Sequence, residues 1–206
     1  MDYCDWVNVK DHLETDEQGW LATPEVHDLQ VKPINKLLET AKIRDMIEVG
    51  CASGHLASRI DGIEYIGLDK NPTFLDMSRR RNPTKKFYQE DIRNLPGKWS
   101  ADLVVCFAVL KHFHLTEWRS IFANVLACGQ KYAIVEIPDP LQRQDLDGNH
   151  IGVDRTVEDV CYDFPHVWVR KEEIIELAHH LDWELIDLQD TGRKELVYIF
   201  KKRNGK

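Results

Sequence analysis

From Met46 to His55 the chain reads Met-Ile-Glu48-Val49-Gly50-Cys51-Ala52-Ser53-Gly54-His55, an apolar run that breaks into small residues at alternate positions. Small side chains at 50, 52 and 54 let a ligand approach the backbone, and N–H groups at the start of a following helix favour a negative group such as a carboxylate. Two phosphate-binding turns do not fit. Gly-x-Gly-x-x-Gly fails because Ala52 holds the middle place and His55-Leu56 follow Gly54, and the Gly-Lys-Ser/Thr of a P-loop is missing. A tight turn with purely structural duties is the alternative reading. Proton chemistry could come from His112, His114, Asp139 and His166, all in segments expected along one edge of the fold. For each histidine a packing or capping role through one hydrogen bond competes with the chemical role. His112-x-His114 has the spacing of two metal ligands, but no matching Asp, Glu or His cluster completes a site, so no metal is expected. His179-His180 reads as a helix-end pair that offsets the helix dipole.

These residues need elements to hold them. Ile34, Leu37, Leu38 and Ala41 recur at helical spacing, and Met46 to Val49 reads as a buried strand. A helix over His55 to Ile60, a strand over Tyr65 to Leu68 and a helix over Thr73 to Arg81 follow, with Pro72 suited to the first helical turn. Phe87-Tyr88 is a weak third strand. Leu103 to Phe107 is a strong fourth, apolar throughout, as suits a strand covered on both faces. Then come a helix over Glu117 to Ala127, a strand over Tyr132 to Ile137, a helix over Lys171 to Leu181, and strands around Trp183 to Leu188 and Glu195 to Phe200. Alternation of this kind implies an α/β fold, a three-layer α/β/α sandwich whose strand-end loops share one edge. The last two strands are close enough to form a hairpin, which makes the final strand antiparallel. Pro138 to Val169 lacks a long period and reads as a substrate-side insertion at about 138–170. Its Tyr162, Phe164 and Trp168 could line an apolar pocket or form the insertion's own core. Residues 1–33, with Trp6 and Trp20, read as an N-terminal lid or cap, and residues 34–206 as one domain.

Glu48-x-Gly50-x-Ala52-x-Gly54 resembles the first motif of class I S-adenosylmethionine-dependent methyltransferases, acidic-x-Gly-x-Gly-x-Gly, with Ala52 in the middle glycine's place. The resemblance extends over roughly Ile34 to Phe200 and points to the small-molecule branch. It implies a seven-stranded, mostly parallel sheet of order 3-2-1-4-5-7-6, with S-adenosyl-L-methionine as cofactor and S-adenosyl-L-homocysteine as product. Asp69, ending the second strand, falls where the family places an acid that accepts both ribose hydroxyls. Asp91 and Ile92, in Gln89-Glu90-Asp91-Ile92, fall where an acid meets the adenine amino group and the next backbone N–H meets the ring. Cys106 and Phe107, ending the fourth strand, fall beside the methionine portion and the incoming substrate. The implied cofactor set is Glu48, Gly50, Cys51, Ala52, Gly54, Asp69, Lys70, Asp91, Ile92, Cys106 and Phe107, with His112 and His166 as the catalytic candidates. Bland readings stand beside these: a turn or helix-capping acid for Asp69, a solvated loop acid for Asp91, and core packing for Cys106 and Phe107.

Composition narrows the partners. Lys plus Arg is 27 and Asp plus Glu is 35, a net charge of -8, which gives no general attraction to phosphate backbones. Arg79-Arg80-Arg81 and Lys85-Lys86 form a local basic cluster, read as a solvated helix end. The Asp/Asn-Pro-Pro-Tyr/Phe signature of base-amine methylation is absent, Cys106-Phe107-Ala108-Val109 standing in its place. A small-molecule acceptor at an O or N atom is therefore expected, with RNA or protein methylation, or a non-catalytic cofactor-binding scaffold, as alternatives. The apolar run from Leu103 to Leu110 is under half the roughly 20 residues of a membrane-crossing helix. The acidic N-terminus lacks the basic head and apolar stretch of a secretory signal, and the five scattered cysteines suit neither a disulfide framework nor a zinc knuckle. A cytosolic monomer or homodimer is expected.

Overall fold

Apolar positions Val31, Ile34, Leu37 and Leu38 make one stripe of helix α1 (Pro24–Thr40), and that stripe is what docks it on the sheet. The computed structural model describes residues 24–143, 152–161, 164–191 and 194–203. Trp6, Trp20, Tyr162 and the side chain of Phe164 lie outside the described residues. α1 runs unbroken through Pro33, so the boundary expected between 33 and 34 falls inside one helix. After it come strand β1 (Asp45–Val49), strand β2 (Glu64–Asp69), helix α2 (Pro72–Arg81), strand β3 (Lys86–Gln89) and strand β4 (Ala101–Cys106). Helix α3 (Trp118–Ala127), strand β5 (Gly129–Pro138), the strands β6 (Val157–Cys161) and β7 (Phe164–Trp168), helix α4 (Lys171–His180), and strands β8 (Trp183–Asp190) and β9 (Glu195–Lys202) complete the chain.

The main sheet has seven strands in the order β3-β2-β1-β4-β5-β9-β8, and β6-β7 form a separate two-stranded sheet. When only the seven are numbered along the chain, this is the expected 3-2-1-4-5-7-6. β1 to β5 are mutually parallel, and β9 runs antiparallel to both β5 and β8. β4 is buried at every position, which explains the apolar run from Leu103 to Cys106, Asp102 at its start being ion-paired. On one face Val104 and Cys106 pack with Trp118, Phe122 and Val125 of α3 and Ile174 and Ala178 of α4. On the other, Leu103 and Val105 pack with Ile34 and Leu37 of α1 and Leu75 of α2. Burying each such large side chain contributes roughly 1.5 to 3 kcal/mol, so the faces hold the sheet as three layers.

One expected helix is missing. Between β1 and β2 there is only a single 3-10 turn, Ala57–Arg59, where His55 to Ile60 reads as helix in sequence. Outside groups add to the turn's own bonds, in which Ser58 N–H donates to the Gly54 carbonyl and Ile60 N–H to the Ala57 carbonyl, both at 3.3 Å. Lys85 Nζ donates to the Ala57 and Ile60 carbonyls, Arg81 to Ser53, and Asn82 Nδ2 to Gly54 at 2.9 Å. The basic cluster is thus largely structural. Arg79 also reaches inward, to the Phe87 carbonyl at 3.0 Å.

The 138–170 insertion carries the β6-β7 hairpin, which lies against the turn Leu110–His112 beyond β4. Glu158 anchors it by accepting from the Leu115 N–H and from His114 Nδ1, the latter at 3.0 Å. On the strand register Asp159 stands opposite His166, and Arg143 forks onto Asp159.

Candidate active site

The residues between β1 and the 3-10 turn fold back on β2. Gly50 and Cys51 donate to the Leu68 carbonyl at 2.8 and 3.1 Å. Gly50, Ala52 and Gly54 have φ of 79°, 44° and 77°, three left-handed residues at alternate positions. A Cβ on Gly50 would overlap Val109 Cγ2, so glycine is required there twice over, by conformation and by contact. Ala52 shows that its position also needs positive φ. It tolerates the conformation because Asp69 Oδ2 accepts its N–H at 2.9 Å and Ser78 Oγ donates to its carbonyl at 2.6 Å.

Asp69 therefore has two sets of partners. Its second oxygen accepts the Asn71 N–H at 2.8 Å, and burial, against these backbone donors, raises its pKa. The two oxygens offer four lone-pair sites, of which the Ala52, Asn71 and Lys70 N–H groups use three, so the bonds that weld turn to strand leave capacity to accept a ligand hydroxyl. The capping reading and the ligand reading are compatible. Asp91 is similar: Oδ1 accepts the Arg93 N–H at 2.9 Å, capping the 3-10 turn Ile92–Asn94, while Oδ2 lies 3.8 Å from Lys70 Nζ. Asn124 of α3 donates to the Ile92 carbonyl at 3.1 Å, which fixes that turn from below.

A cavity runs along the tips of β1, β2 and β4. Glu48, Gly50, Cys51, Ala52, Asp69 and Lys70 line one stretch, Asp91 and Ile92 another, and Phe107 and His112 a third. Ten of the residues expected at a site thus share one wall. Gly54 lies behind it, packed against Ser78 and Asn82, and acts by letting the turn close. Cys106 is wholly buried in the core and does not line the cavity, because strand alternation turns its side chain toward α3. His166 does not line it either. Its ring stacks on Trp168 at 4.9 Å and meets His112 edge-on at 6.1 Å, so it stands behind His112 rather than facing the cavity.

The electrostatics of these histidines depart from the expected proton-handling role. Burial, reinforced by the Lys111 charge, pushes His166 down to about 4 and His112 well below its ordinary value. Both rings are neutral at neutral pH, which suits hydrogen bonding and packing better than holding a proton. Lys111 pairs with Glu195 at 2.9 Å beside them. Sequence reasoning missed Gln30, Phe74 and Phe113, which also line the cavity. Gln30 lies in the stretch read as a lid, and Phe113 directly follows His112, so adjacency was the available signal for both.

Against known proteins, residues 46–130 match a family model described as a methyltransferase domain. They run from β1 to the start of β5 and so contain the turn, Asp69, Asp91 and His112. A curated trans-aconitate 2-methyltransferase from Methylobacterium radiotolerans is 32% identical over 123 residues, covering 55% of this chain and 46% of the relative. The chain therefore spans about half the length of that protein. Among solved structures, magnesium protoporphyrin IX methyltransferase from Synechocystis PCC 6803 with bound S-adenosylmethionine superposes with a TM-score of 0.68 at 12% identity, over 96% of this chain and 94% of that one. The 1,6-didemethyltoxoflavin-N1-methyltransferase of Burkholderia thailandensis, with its namesake substrate and S-adenosylhomocysteine bound, gives 0.68 at 14% identity over 94% and 86%. These likenesses show that the fold is shared with those methyltransferases. Among the described residues no helix is long and apolar enough to cross a membrane, and no group of three His, Cys, Asp or Glu side chains gathers where a metal ion could sit.

Proposed function

We propose that this chain is an S-adenosylmethionine-dependent methyltransferase that transfers a methyl group to an O or N atom of a small molecule. The observation that carries the reading is the single cavity wall along which the left-handed turn, Asp69 and Asp91 follow one another at successive strand tips. The donor set fits the cofactor. The turn presents backbone over Gly50 and Ala52 to an amino-acid tail, Asp69 keeps accepting capacity beyond its backbone donors for a ribose hydroxyl, and Asp91 with the Ile92 backbone suits a purine edge. When bound, the cofactor supplies a methyl group on a positively charged sulfur, activated for in-line displacement.

The chain's part is then alignment and exclusion of water, which can supply several kcal/mol of the barrier reduction. Phe107, Ala108 and Val109 wall the cavity beyond β4, with Ala108 in a left-handed conformation at φ 57° that turns the chain around its mouth. His112, neutral and on that wall, offers a ring nitrogen to orient an acceptor, with His166 and Trp168 packed behind it as support. Gln30 of α1 reaches the same cavity, which supports a covering role for the N-terminal segment. A small-molecule acceptor is favoured over a nucleic acid because Arg79, Arg81 and Lys85 are committed to backbone carbonyls instead of facing a ligand.

The test is calorimetric titration with S-adenosylmethionine and S-adenosylhomocysteine, followed by incubation of extract with methyl-labelled cofactor. Micromolar binding and a labelled product of low molecular mass are expected. Absence of binding by both compounds removes the cofactor reading, and label in RNA or protein removes the small-molecule one.

A further inference from the structure

Glu48 is a carboxylic acid buried at 6% exposure inside a parallel sheet, on the β1 tip between β2 and β4. Burying a carboxylate is costly unless a charge or several donors compensate it. The Tyr65 hydroxyl donates to Glu48 Oε2, and this neutral group is itself buried. Asp69 adds a second negative charge from β2. The thiols of Cys51 in the turn and Cys106 on β4 are held protonated by their own burial, so they bring no positive charge. Lys85 is the cation whose field reaches Glu48, yet its Nζ is tied to the Ala57 and Ile60 carbonyls and lies over the Tyr65 ring, 5.4 Å from its centroid. Among the described residues no ion pair is made to Glu48, although it lines the cofactor cavity.

Two carboxylates on one cavity wall, neither ion-paired among the described residues, describe a place prepared for a positive ligand. The cofactor of the reading above is such a ligand, cationic at its ammonium and sulfonium. We propose that Glu48 carries a proton while the cavity lacks cofactor and surrenders it to solvent when the cofactor's cationic end arrives, so that binding is an exchange of one positive charge for another. In balanced form, the protonated carboxyl plus the cationic cofactor gives carboxylate, bound cofactor and one proton taken up by buffer. Burial, opposed in part by the Tyr65 hydrogen bond, pushes the empty-state group up to about 8, in agreement with the geometry. This inference rests on the cofactor reading but fails separately from it.

Titration calorimetry of the full chain with S-adenosylmethionine, run at pH 7 in two buffers of very different ionisation enthalpy, measures protons released per cofactor bound. Any proton taken up by the cofactor's own amine on binding is common to wild type and Glu48→Gln and cancels in their difference. Relative to Glu48→Gln, wild type should release most of one proton more at pH 7 and little more at pH 9.5, where the group has already ionised. Tyr65→Phe keeps the carboxyl but removes the donor that favours its charged form, so its release should persist to higher pH than in wild type. Equal release by wild type and Glu48→Gln, or a Tyr65→Phe curve that coincides with wild type, overturns the proposal while leaving the cofactor reading intact. No heat and no binding of either sulfur compound by wild type overturns both.

Discussion

At the scale of single residues, Asp69 joins structure and binding, because the side chain that accepts the Ala52 and Asn71 N–H groups belongs to a residue lining the cavity. Asp69→Ala should weaken S-adenosylmethionine binding by roughly 1.5 to 3 kcal/mol, about 10- to 150-fold by calorimetry, as expected for loss of a charge-assisted bond. Unchanged affinity would sink the ribose assignment. A glycine pair separates conformation from contact. Gly50 and Gly62 have nearly equal φ, 79° and 80°, but a Cβ at Gly62 meets nothing while one at Gly50 strikes Val109. Gly62→Ala should cost only about 1 to 2 kcal/mol of left-handed strain and leave cofactor affinity unchanged, whereas Gly50→Ala should displace the 107–109 wall and cost at least tenfold in affinity as well. Similar binding by the two variants would show that Val109 yields freely. These residues were legible in sequence because small side chains and strand-end acids declare themselves by type and position. Cys106 and His166 were not, since which way a side chain turns at a strand end, or on a hairpin of an insertion, depends on neighbours remote in the chain.

At the scale of elements, the segment between β1 and β2 shows why a helical pattern need not become a helix. Lys85, from the approach to β3, donates to the Ala57 and Ile60 carbonyls and so ties the short 3-10 turn to β3 rather than to a helix of its own. Nothing in residues 55–60 announces that lysine, so the local reading of a helix had no means of correction. Lys85→Met should leave those carbonyls without their charged partner, cost about 1 to 2 kcal/mol in the denaturant midpoint, and loosen the turn at Gly54. A midpoint equal to wild type would make the lysine incidental. The hairpin offers the contrast. Glu158 lies on the surface, where Leu115 and then His114 hold its carboxyl below the usual range, so Glu158→Gln should change stability by less than about 1 kcal/mol. If the neutral His112 serves to orient an acceptor, hairpin variants that shift His166 should alter KM for the acceptor before they alter cofactor affinity. Steady-state kinetics against a calorimetric control distinguishes the two.

At the scale of the whole molecule, the sheet order was legible because continuous apolar strands alternating with helical stripes leave few right-handed arrangements, whereas the β6-β7 pairing carried no comparable periodicity. Charge is distributed through this architecture in two opposed ways, and together they set how stability follows pH. Asp102, 3% exposed, is held far below the ordinary carboxylate range by Arg44 and, against the cost of its burial, by Lys131. A depressed folded-state pKa gives stability that is present above the unfolded value, near 4, and is lost as pH falls toward the folded one; both cations are exposed, so screening keeps this contribution small. Glu48 and Glu136 have the opposite sign. Burial raises them to about 8 and about 7, so their contribution is full below the unfolded value near 4.5 and is lost as pH rises through 7 and 8. The cofactor-free protein should therefore be most stable near pH 5 and lose about 5 to 10 °C in Tm by pH 9, as read by thermal scans in matched ionic strength. Glu136→Gln should flatten the pH 5 to 8 portion of that decline, and saturating S-adenosylmethionine should raise Tm more at pH 8 than at pH 5, since the ligand then meets a carboxylate already ionised. A Tm that holds level or climbs between pH 5 and pH 9 would show that both buried carboxyls find compensation for their charge within the fold, and would remove the reason for the cofactor to supply it.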